Sequence, residues 1–393
     1  MTRSRWLALI LLGSLLLSGC WDRRELTDVS LVGLIGIDRE EDQYLVTLNV
    51  LIPQRGGQQG GGGSSGETGV RSVVARAGSL DEAVAKANQA LSRDITLTHV
   101  RAIILGEEFA REGIAPALDF LLRSVEVRPT AWIAVTVGSA NEFLQVRPQQ
   151  ERVPIEGPVG YHDFVQARSG IIRARRLVDV ANILQEEGID LALPLFRRAS
   201  EEHPNPDGGQ EATGNQEELI YGGAGLFIGD RLVDWMSPDQ ARGILWASGR
   251  ITRTAVVAPC EDPERRAVFR VRWTKGSVRV TARNQELAGE IRVKVVADLN
   301  ETTCEEQLIS GADLSRAEAL LADQVERELI KTVSILRETG SDFLGLGQTL
   351  YRKAPALFRA HEAEWPERLA EMDLRIVIEA IVPRTGQMKQ RFH

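Results

Sequence analysis

Two alternating apolar runs, VSLVGLIGI (residues 29–37) and YLVTLNVLI (residues 44–52), decide how the chain begins to fold. Alternation with a period of two is typical of a half-buried strand, because successive side chains point to opposite faces of a sheet. The polar segment DREEDQ (residues 38–43) between the two runs indicates a turn. The sequence therefore predicts a β-hairpin at the start of the fold.

Strand-like and helix-like segments alternate after this hairpin. The glycine-rich segment GGQQGGGGSSGETG (residues 56–69) cannot bury apolar surface, so we interpret it as a flexible loop between two strands of one sheet. The predicted strands that follow are 70–77, 99–105 and 132–137, and the predicted helices are 79–91, 107–111, 114–124, 141–146 and 175–187. This order predicts a mixed α/β domain over residues 20–200.

The second half of the chain has a different pattern. Residues 201–217 contain no large apolar side chain and are interpreted as a linker. After it, a hairpin turn is expected at Gly229-Asp230, and the runs within 251–299, divided by Lys275-Gly276, predict an antiparallel meander.

Two long helices and a last strand complete the prediction. A helix is expected over residues 315–338 because Leu321, Val325 and Leu329 recur at helical spacing, and a second over 347–361 precedes a strand at 374–381. We therefore predict an α+β protein, with a mixed α/β N-terminal domain followed by an antiparallel sheet packed with long helices. The second domain would span 218–393, with a division into 218–255 and 256–393 left open.

The first twenty residues have the layout of a bacterial export signal. Arg3 and Arg5 precede an uncharged apolar run, residues 6–17, and small residues then lead into Cys20. A membrane-spanning helix needs roughly 20 apolar residues, and this run is shorter. Leu-Ser-Gly-Cys (residues 17–20) also resembles a lipobox, which implies that residues 1–19 are removed and Cys20 carries lipid. The alternative is an ordinary signal peptide with a chance cysteine.

Composition narrows the class of partner. The chain has 393 residues, 43% of them hydrophobic and 26% charged, which is ordinary for a globular protein. Its formal net charge of −8 becomes −10 without Arg3 and Arg5. Nucleic acid is not expected as a partner, because phosphate binding requires clustered basic side chains.

The remaining two cysteines, Cys260 and Cys304, would lie together on the exported side if Cys20 carries lipid. Exported thiols can persist as disulfides, and two separate buried thiols are the alternative.

The sequence carries no recognisable catalytic motif. None of its five histidines has the spacing of a zinc site. His162-Asp163 is the one pair that suggests acid–base chemistry, and an ordinary loop histidine explains it more simply. Gly223, Gly225 and Gly229 have the wrong spacing for a dinucleotide loop, and a hairpin explains them. We expect no catalytic residue, cofactor or metal.

Four segments carry a resemblance to a known family. They are GCWDRRELTDVSLVGLIGID (residues 19–38), THVRAIILGEEFAREGIAPALDFLLRSVEVRP (98–129), GAGLFIGDRLVDWMSPDQARGILW (223–246) and SDFLGLGQTLYRKAPALFRAHEAEWPERL (341–369). In order and spacing, they resemble the Ger(x)C family, the lipoprotein C subunits of spore germinant receptors. The glycine-rich segment 56–69 departs from the family pattern.

The resemblance implies a function through protein contacts. A protein of this family would be anchored through Cys20 to the outer face of the spore inner membrane and would assemble there with the A and B membrane subunits. The family has no established catalytic residues. Direct binding of the nutrient by a solute-binding lipoprotein is the alternative, and an extracytoplasmic enzyme is a third reading that the missing motifs disfavour.

Overall fold

The computed structural model describes residues 29–51, 69–146, 159–160, 175–198, 219–283, 286–304 and 311–383. Within these stretches the backbone forms two β-sheets that carry helices. The predicted signal segment 1–19, Cys20, the linker 201–217 and all but the last residue of the loop 56–69 lie outside the described residues.

The larger sheet is mixed. Its described strands are β1 Val29–Glu40, β2 Gln43–Leu51, β3 Val70–Ala77, β4 Asp94–Thr96, β5 Ala102–Leu105, β6 Trp132–Thr136, β7 Arg175–Arg176, β8 Ala192–Arg198, β9 Leu219–Ile228 and β10 Arg231–Met236. Their order is β10-β9-β8-β6-β5-β1-β2-β3, with β4 beside β1 and β7 beside β6. Strands β1, β5, β6 and β8 run parallel, and antiparallel ribbons flank them on both sides. This arrangement confirms the mixed α/β prediction.

Helices cover both faces of this sheet. They are α1 Leu80–Gln89, α2 Glu107–Glu112, α3 Ala115–Arg123, α4 Ala140–Gln145 and α5 Leu177–Gln185. Helix α4 contributes Phe143 to the same buried cluster as Leu34 and Ile104, whereas the other four helices pack on the opposite face, in the cluster that contains Ile35 and Ile103. Parallel strands buried on both faces read as continuous apolar runs, which is how β5 (AIIL) appears in the sequence.

The smaller sheet consists of β11 Ala255–Pro259, β12 Arg266–Arg283, β13 Glu286–Thr302 and β14 Asp373–Ile381, in that order. The helices of this part are α6 Pro238–Ser248, α7 Gly311–Thr339, α8 Leu346–Lys353, α9 Pro355–His361 and α10 Trp365–Glu371. The first three strands are antiparallel, as predicted, but β14 pairs parallel to β13. The helices between β13 and β14 return the chain to the end where β13 started, which permits the parallel pairing.

The long helix confirms its predicted buried stripe. Leu321, Val325 and Leu329 of α7 are all fully buried against the smaller sheet. The helix predicted over 347–361 is instead two helices, α8 and α9, divided at Ala354. Pro355 explains the break, because proline has no N–H for a continuing helix and is favoured in a first turn.

The predicted turn at Lys275-Gly276 is wrong. Both residues lie inside the 18-residue strand β12. Glycine is required at 276 because the end of α6 approaches the backbone of β12 closely there. A Cβ at this position would lie 2.3 Å from the carbonyl oxygen of Ala247. The glycine therefore marks the contact between a helix end and a strand.

The larger sheet includes strands from both sides of residues 201–217. Strand β9 pairs with β8, and β10 with β9, so the sheet continues to Met236. The predicted boundary at 201–217 thus does not coincide with the boundary between the two sheets. The division into domains stays a prediction.

Candidate functional site

A crevice opens where the parallel strands β1, β5 and β6 end. The chain leaves β5 into α2 on one face of the sheet and leaves β6 into α4 on the other. In open α/β sheets such a divergence creates a cleft in which ligands commonly bind. The cleft has a volume of about 740 Å³ and is lined by charged side chains of β1, α2 and β10.

Asp38, at the end of β1, is the buried centre of this crevice. Its carboxylate accepts hydrogen bonds from the backbone N–H groups of Ala140 (2.7 Å) and Asn141 (2.8 Å) and from the Ser139 hydroxyl (3.1 Å). Burial raises the pKa of Asp38, and these hydrogen bonds partly oppose the shift. Gly106 makes room, because a Cβ there would lie 1.9 Å from Asp38 Oδ1. The carboxylate anchors the first turn of α4.

The other charges of the crevice pair with one another. Arg111 Nη2 lies 2.8 Å from Glu107 Oε1, and Glu107 Oε2 accepts a hydrogen bond from the Gly138 backbone N–H at 3.1 Å. Arg39 Nε lies 3.2 Å from Glu112 Oε2. The crevice thus offers a mixed-charge surface whose main carboxylates already have partners.

A second depression lies between α1 and α3. It has a volume of about 580 Å³, and its lining includes Tyr44, Leu80, Leu97 and Phe120, with Arg123 at its margin. We call it the apolar groove. Leu122 is 40% exposed and Val125 is fully exposed on the adjoining stretch of chain. An apolar groove suits a hydrophobic partner or ligand, and exposed apolar side chains such as Leu122 and Val125 suit a protein contact.

Two aspartates join the larger sheet to the helices of the smaller one. Asp342 is buried, and its carboxylate accepts hydrogen bonds from the N–H groups of Leu346 (2.8 Å), Gly347 (2.6 Å) and the Trp365 indole (3.0 Å). Burial raises the pKa of Asp342 to about 6 despite these donors, and nearby Asp190 adds to the shift. Burial also raises the pKa of Asp190.

The predicted site residues fall into two groups. Cys20 and the pair His162-Asp163 lie outside the described residues. Cys260 and Cys304 are joined by a disulfide with a Cα–Cα separation of 5.7 Å, within the usual range of roughly 4.4–6.8 Å. The bond links the start of the β11–β12 connection to the end of β13.

Sequence reasoning missed both buried aspartates. Asp38 was assigned to a turn, but β1 continues to Glu40 and the turn lies at Glu41-Asp42. An aspartate that directly follows the apolar part of a strand was the available signal, and Ser139, which opens α4, is its distant partner. Asp342 lies within a segment quoted for the family resemblance, without a role assigned to it.

Two kinds of feature are absent from the described part of the chain, a metal-ligand group and a membrane-spanning helix. Within it, no three His, Cys, Asp or Glu side chains come together in a group that could hold a metal ion. Among the helices that the structure describes, none combines the length and the apolar content that crossing a bilayer requires.

Two family models match this chain in succession. The model of the spore germination protein N-terminal domain matches residues 22–198, and the model of the spore germination B3/GerAC-like C-terminal region matches residues 222–386. Together they take in almost the whole sequence after Cys20.

Relatives and a solved structure agree with these matches. The spore germination protein KC of Bacillus subtilis (strain 168) is 28% identical over 388 residues, covering 96% of this chain and 95% of that protein. The putative spore germination protein YfkR of the same organism is 28% identical over 371 residues, 93% of each chain. The crystal structure of the GerBC protein matches with a TM-score of 0.56 at 19% identity, covering 89% of this chain and 96% of that one, which shows a common fold.

Proposed function

This chain belongs to the family of GerAC-like spore germination proteins, and on that premise we propose that it is the C subunit of a germinant receptor, a non-catalytic lipoprotein. The observation that carries the proposal is the pair of family matches, over residues 22–198 and 222–386. A subunit of this kind acts by contacts with other proteins.

We propose that lipid on Cys20 holds the protein on the outer face of the spore inner membrane. Two acyl chains give stable binding where a single one gives only reversible binding. Residues 21–28 separate Cys20 from β1, and eight extended residues span at most about 29 Å. The tether therefore keeps the folded part close to the bilayer.

The proposed partners are the A and B membrane subunits of the receptor. Confinement to one membrane raises the effective concentration of each subunit for the others, so individually weak contacts suffice for assembly. The apolar groove and the exposed side chains of Leu122 and Val125 offer apolar surface of the kind that protein contacts use.

Affinity purification from detergent-solubilised spore membranes tests the proposal. We expect the A and B subunits to elute with the tagged chain in comparable amounts, as identified by mass spectrometry. Leu122→Asp combined with Val125→Asp should lower their recovery, whereas Ile330→Asp, at an apolar residue 51% exposed on α7, serves as the matched control. Elution of the tagged chain alone under the mildest detergent would contradict assembly.

Direct nutrient binding is the second candidate, and the apolar groove is the observation that favours it. Its volume of about 580 Å³ falls in the range of roughly 300–1,000 Å³ usual for small-molecule sites. Val84 on its wall is the position to fill. If the groove binds nutrient, calorimetry should give saturable binding that Val84→Trp abolishes, and absence of heat with every germinant nutrient would exclude this reading.

A further inference from the structure

The outward face of the smaller sheet differs in charge from the rest of the protein. Helices α6 and α7 pack on the inward face, where Val271, Ile291 and Val293 are buried. The outward residues of β12, β13 and β14, from the row containing Arg270 to the row containing Arg279, form what we call the basic face. Its cations are Arg270, Arg272, Lys275, Arg279, Arg292, Lys294 and Arg375, and its carboxylates are Glu290, Asp298 and Glu379.

This face is basic within an acidic chain. Seven cations against three carboxylates give it a net charge of +4, whereas the whole chain carries −8. The remaining surface is correspondingly negative. The acidic residues Glu301 and Asp373 lie beyond its two ends, which bounds it along the strands.

Three of the seven cations pair with the three carboxylates of the face, which leaves four cations in excess. Arg272 pairs with Asp298 at 2.8 Å, Arg292 pairs with Glu290 at 3.0 Å, and Lys294 pairs with Glu379. Lys275 lies directly across from Lys294 in the strand register. Like charges opposite one another destabilise a sheet, and a bound anion would relieve that repulsion.

Apolar side chains lie beside the cations. Trp273 pairs with Val296, and Val296 pairs with Ile381, so the three form one row across the face next to the row of Lys275 and Lys294. Trp273 is 43% exposed. A partly exposed tryptophan next to lysine and arginine is typical of surfaces that lie at a membrane interface, where the ring sits among headgroups and the cations meet lipid phosphates.

We infer that the basic face rests on anionic phospholipid headgroups and sets the orientation of the tethered protein on the membrane. The inference rests on the proposed anchoring, because a face of +4 on a chain of −8 would bind an anionic bilayer weakly without a tether. When the tether holds the protein at an anionic bilayer, the bilayer repels the acidic remainder of the surface and attracts the basic face. The body therefore lies with the smaller sheet towards the lipid.

Lysine acetylation of the tethered chain tests this orientation. Residues 20–393 are coupled to a maleimide lipid through Cys20, which is the single free thiol because Cys260 and Cys304 are bonded to each other. The described fold begins at Val29, so no described contact depends on residues 1–19. The vesicles contain either phosphatidylcholine alone or about 30% phosphatidylglycerol, at low and at about 0.5 M salt.

At low salt, we expect Lys275 to be acetylated roughly fivefold more slowly on anionic vesicles than on neutral ones. At high salt, its rates on the two kinds of vesicle should be equal. Lys331 is the internal control, because it is exposed on α7, which covers the opposite face of the sheet. Its rate should be the same on both vesicles. Lys294, which lies across from Lys275 on the same face, should be protected in the same way. The double variant Lys275→Glu, Arg279→Glu should remove this protection of Lys294, whereas Lys331→Glu with Lys353→Glu, an equal charge change elsewhere, should preserve it.

Equal reactivity of Lys275 on both kinds of vesicle would overturn the inference. Protection that appears only when spore-membrane proteins are added would also overturn it, since it would assign the face to an acidic protein. Because the anchor here is chemical, failure of Cys20 to carry lipid in cells would leave this result unchanged. The two proposals therefore fail separately.

Discussion

Asp190 and Asp342 are joined by two hydrogen bonds across the junction between the two sheets. The Asp342 N–H donates to Asp190 Oδ2 at 2.7 Å, and the Asp190 N–H donates to the Asp342 carbonyl oxygen at 3.0 Å. Asp190 Oδ1 also accepts from the Gly229 N–H at 3.1 Å. A single half-buried residue before β8 thereby links the β9–β10 turn to the loop before α8.

Replacement of Asp190 should destabilise this junction. Asp190→Ala leaves the buried N–H of Asp342 without its acceptor and removes the bond to the exposed N–H of Gly229, so we expect a loss of about 1–3 kcal/mol in the free energy of unfolding. Urea denaturation followed by circular dichroism measures it. Asp323→Ala, at an exposed position of α7, is the matched control and should change stability by less than about 0.5 kcal/mol. Equal effects of the two substitutions would refute the role of Asp190.

The stability contributed by Asp342 should decrease as the pH rises. Its folded-state pKa of about 6 lies above the ordinary value of 3.8, so the folded protein holds this proton more tightly than the unfolded chain. The contribution is therefore complete below about pH 4 and is lost by about pH 6, with a total on the order of 3 kcal/mol.

Asp342→Asn, which cannot titrate, provides the reference for that pH dependence. The difference in unfolding free energy, wild type minus variant, should fall between pH 4 and pH 7 when both are measured in urea. A difference that is constant with pH, or that rises, would contradict a raised pKa.

The disulfide should persist in the exported protein. Denatured, unreduced protein from spore membranes should show no thiol at Cys260 or Cys304 by alkylation and mass spectrometry. Reduction, or Cys260→Ala with Cys304→Ala, should cost about 4 kcal/mol, since the bond closes a loop of 44 residues. Quantitative alkylation before reduction would show two free thiols instead.

Gly276 should tolerate no side chain. Gly276→Ala places a methyl group against the backbone at the end of α6, and we expect a loss of about 1–3 kcal/mol with an altered α6–β12 contact. Gly78→Ala is the matched control, because the nearest atom to its Cβ is a glutamate side-chain oxygen 3.9 Å away. Thermal unfolding of both variants measures the effect. Equal melting temperatures for Gly276→Ala and Gly78→Ala would contradict a packing role for Gly276.

Periodicity predicted the elements whose burial is local. The stripe of Leu321, Val325 and Leu329 identified α7, and alternating residues identified the β1–β2 hairpin, because each element faces one continuous apolar surface. Fold class followed from the order of such elements. Those features depend only on neighbours in the sequence.

The features that escaped prediction depend on distant partners. Asp38 resembles a turn residue until α4, 102 residues away, supplies the N–H groups that it binds. Gly276 is as consistent with a turn as with close packing, and only the position of α6 distinguishes them. The basic face likewise requires the register of three strands, which the sequence of each strand alone does not contain.

We expect Cys20 to anchor the protein to the membrane and so to bring it together with the other receptor subunits. Three kinds of spore are compared for palmitate labelling and for recovery of the A and B subunits. They produce the tagged chain, its Cys20→Ala variant, or its Ser18→Ala variant, a control that keeps a small residue. We predict label and both subunits with the unmodified chain and with Ser18→Ala, and loss of all three with Cys20→Ala. Recovery of the Cys20→Ala chain in the membrane fraction, with undiminished A and B subunits, would contradict it.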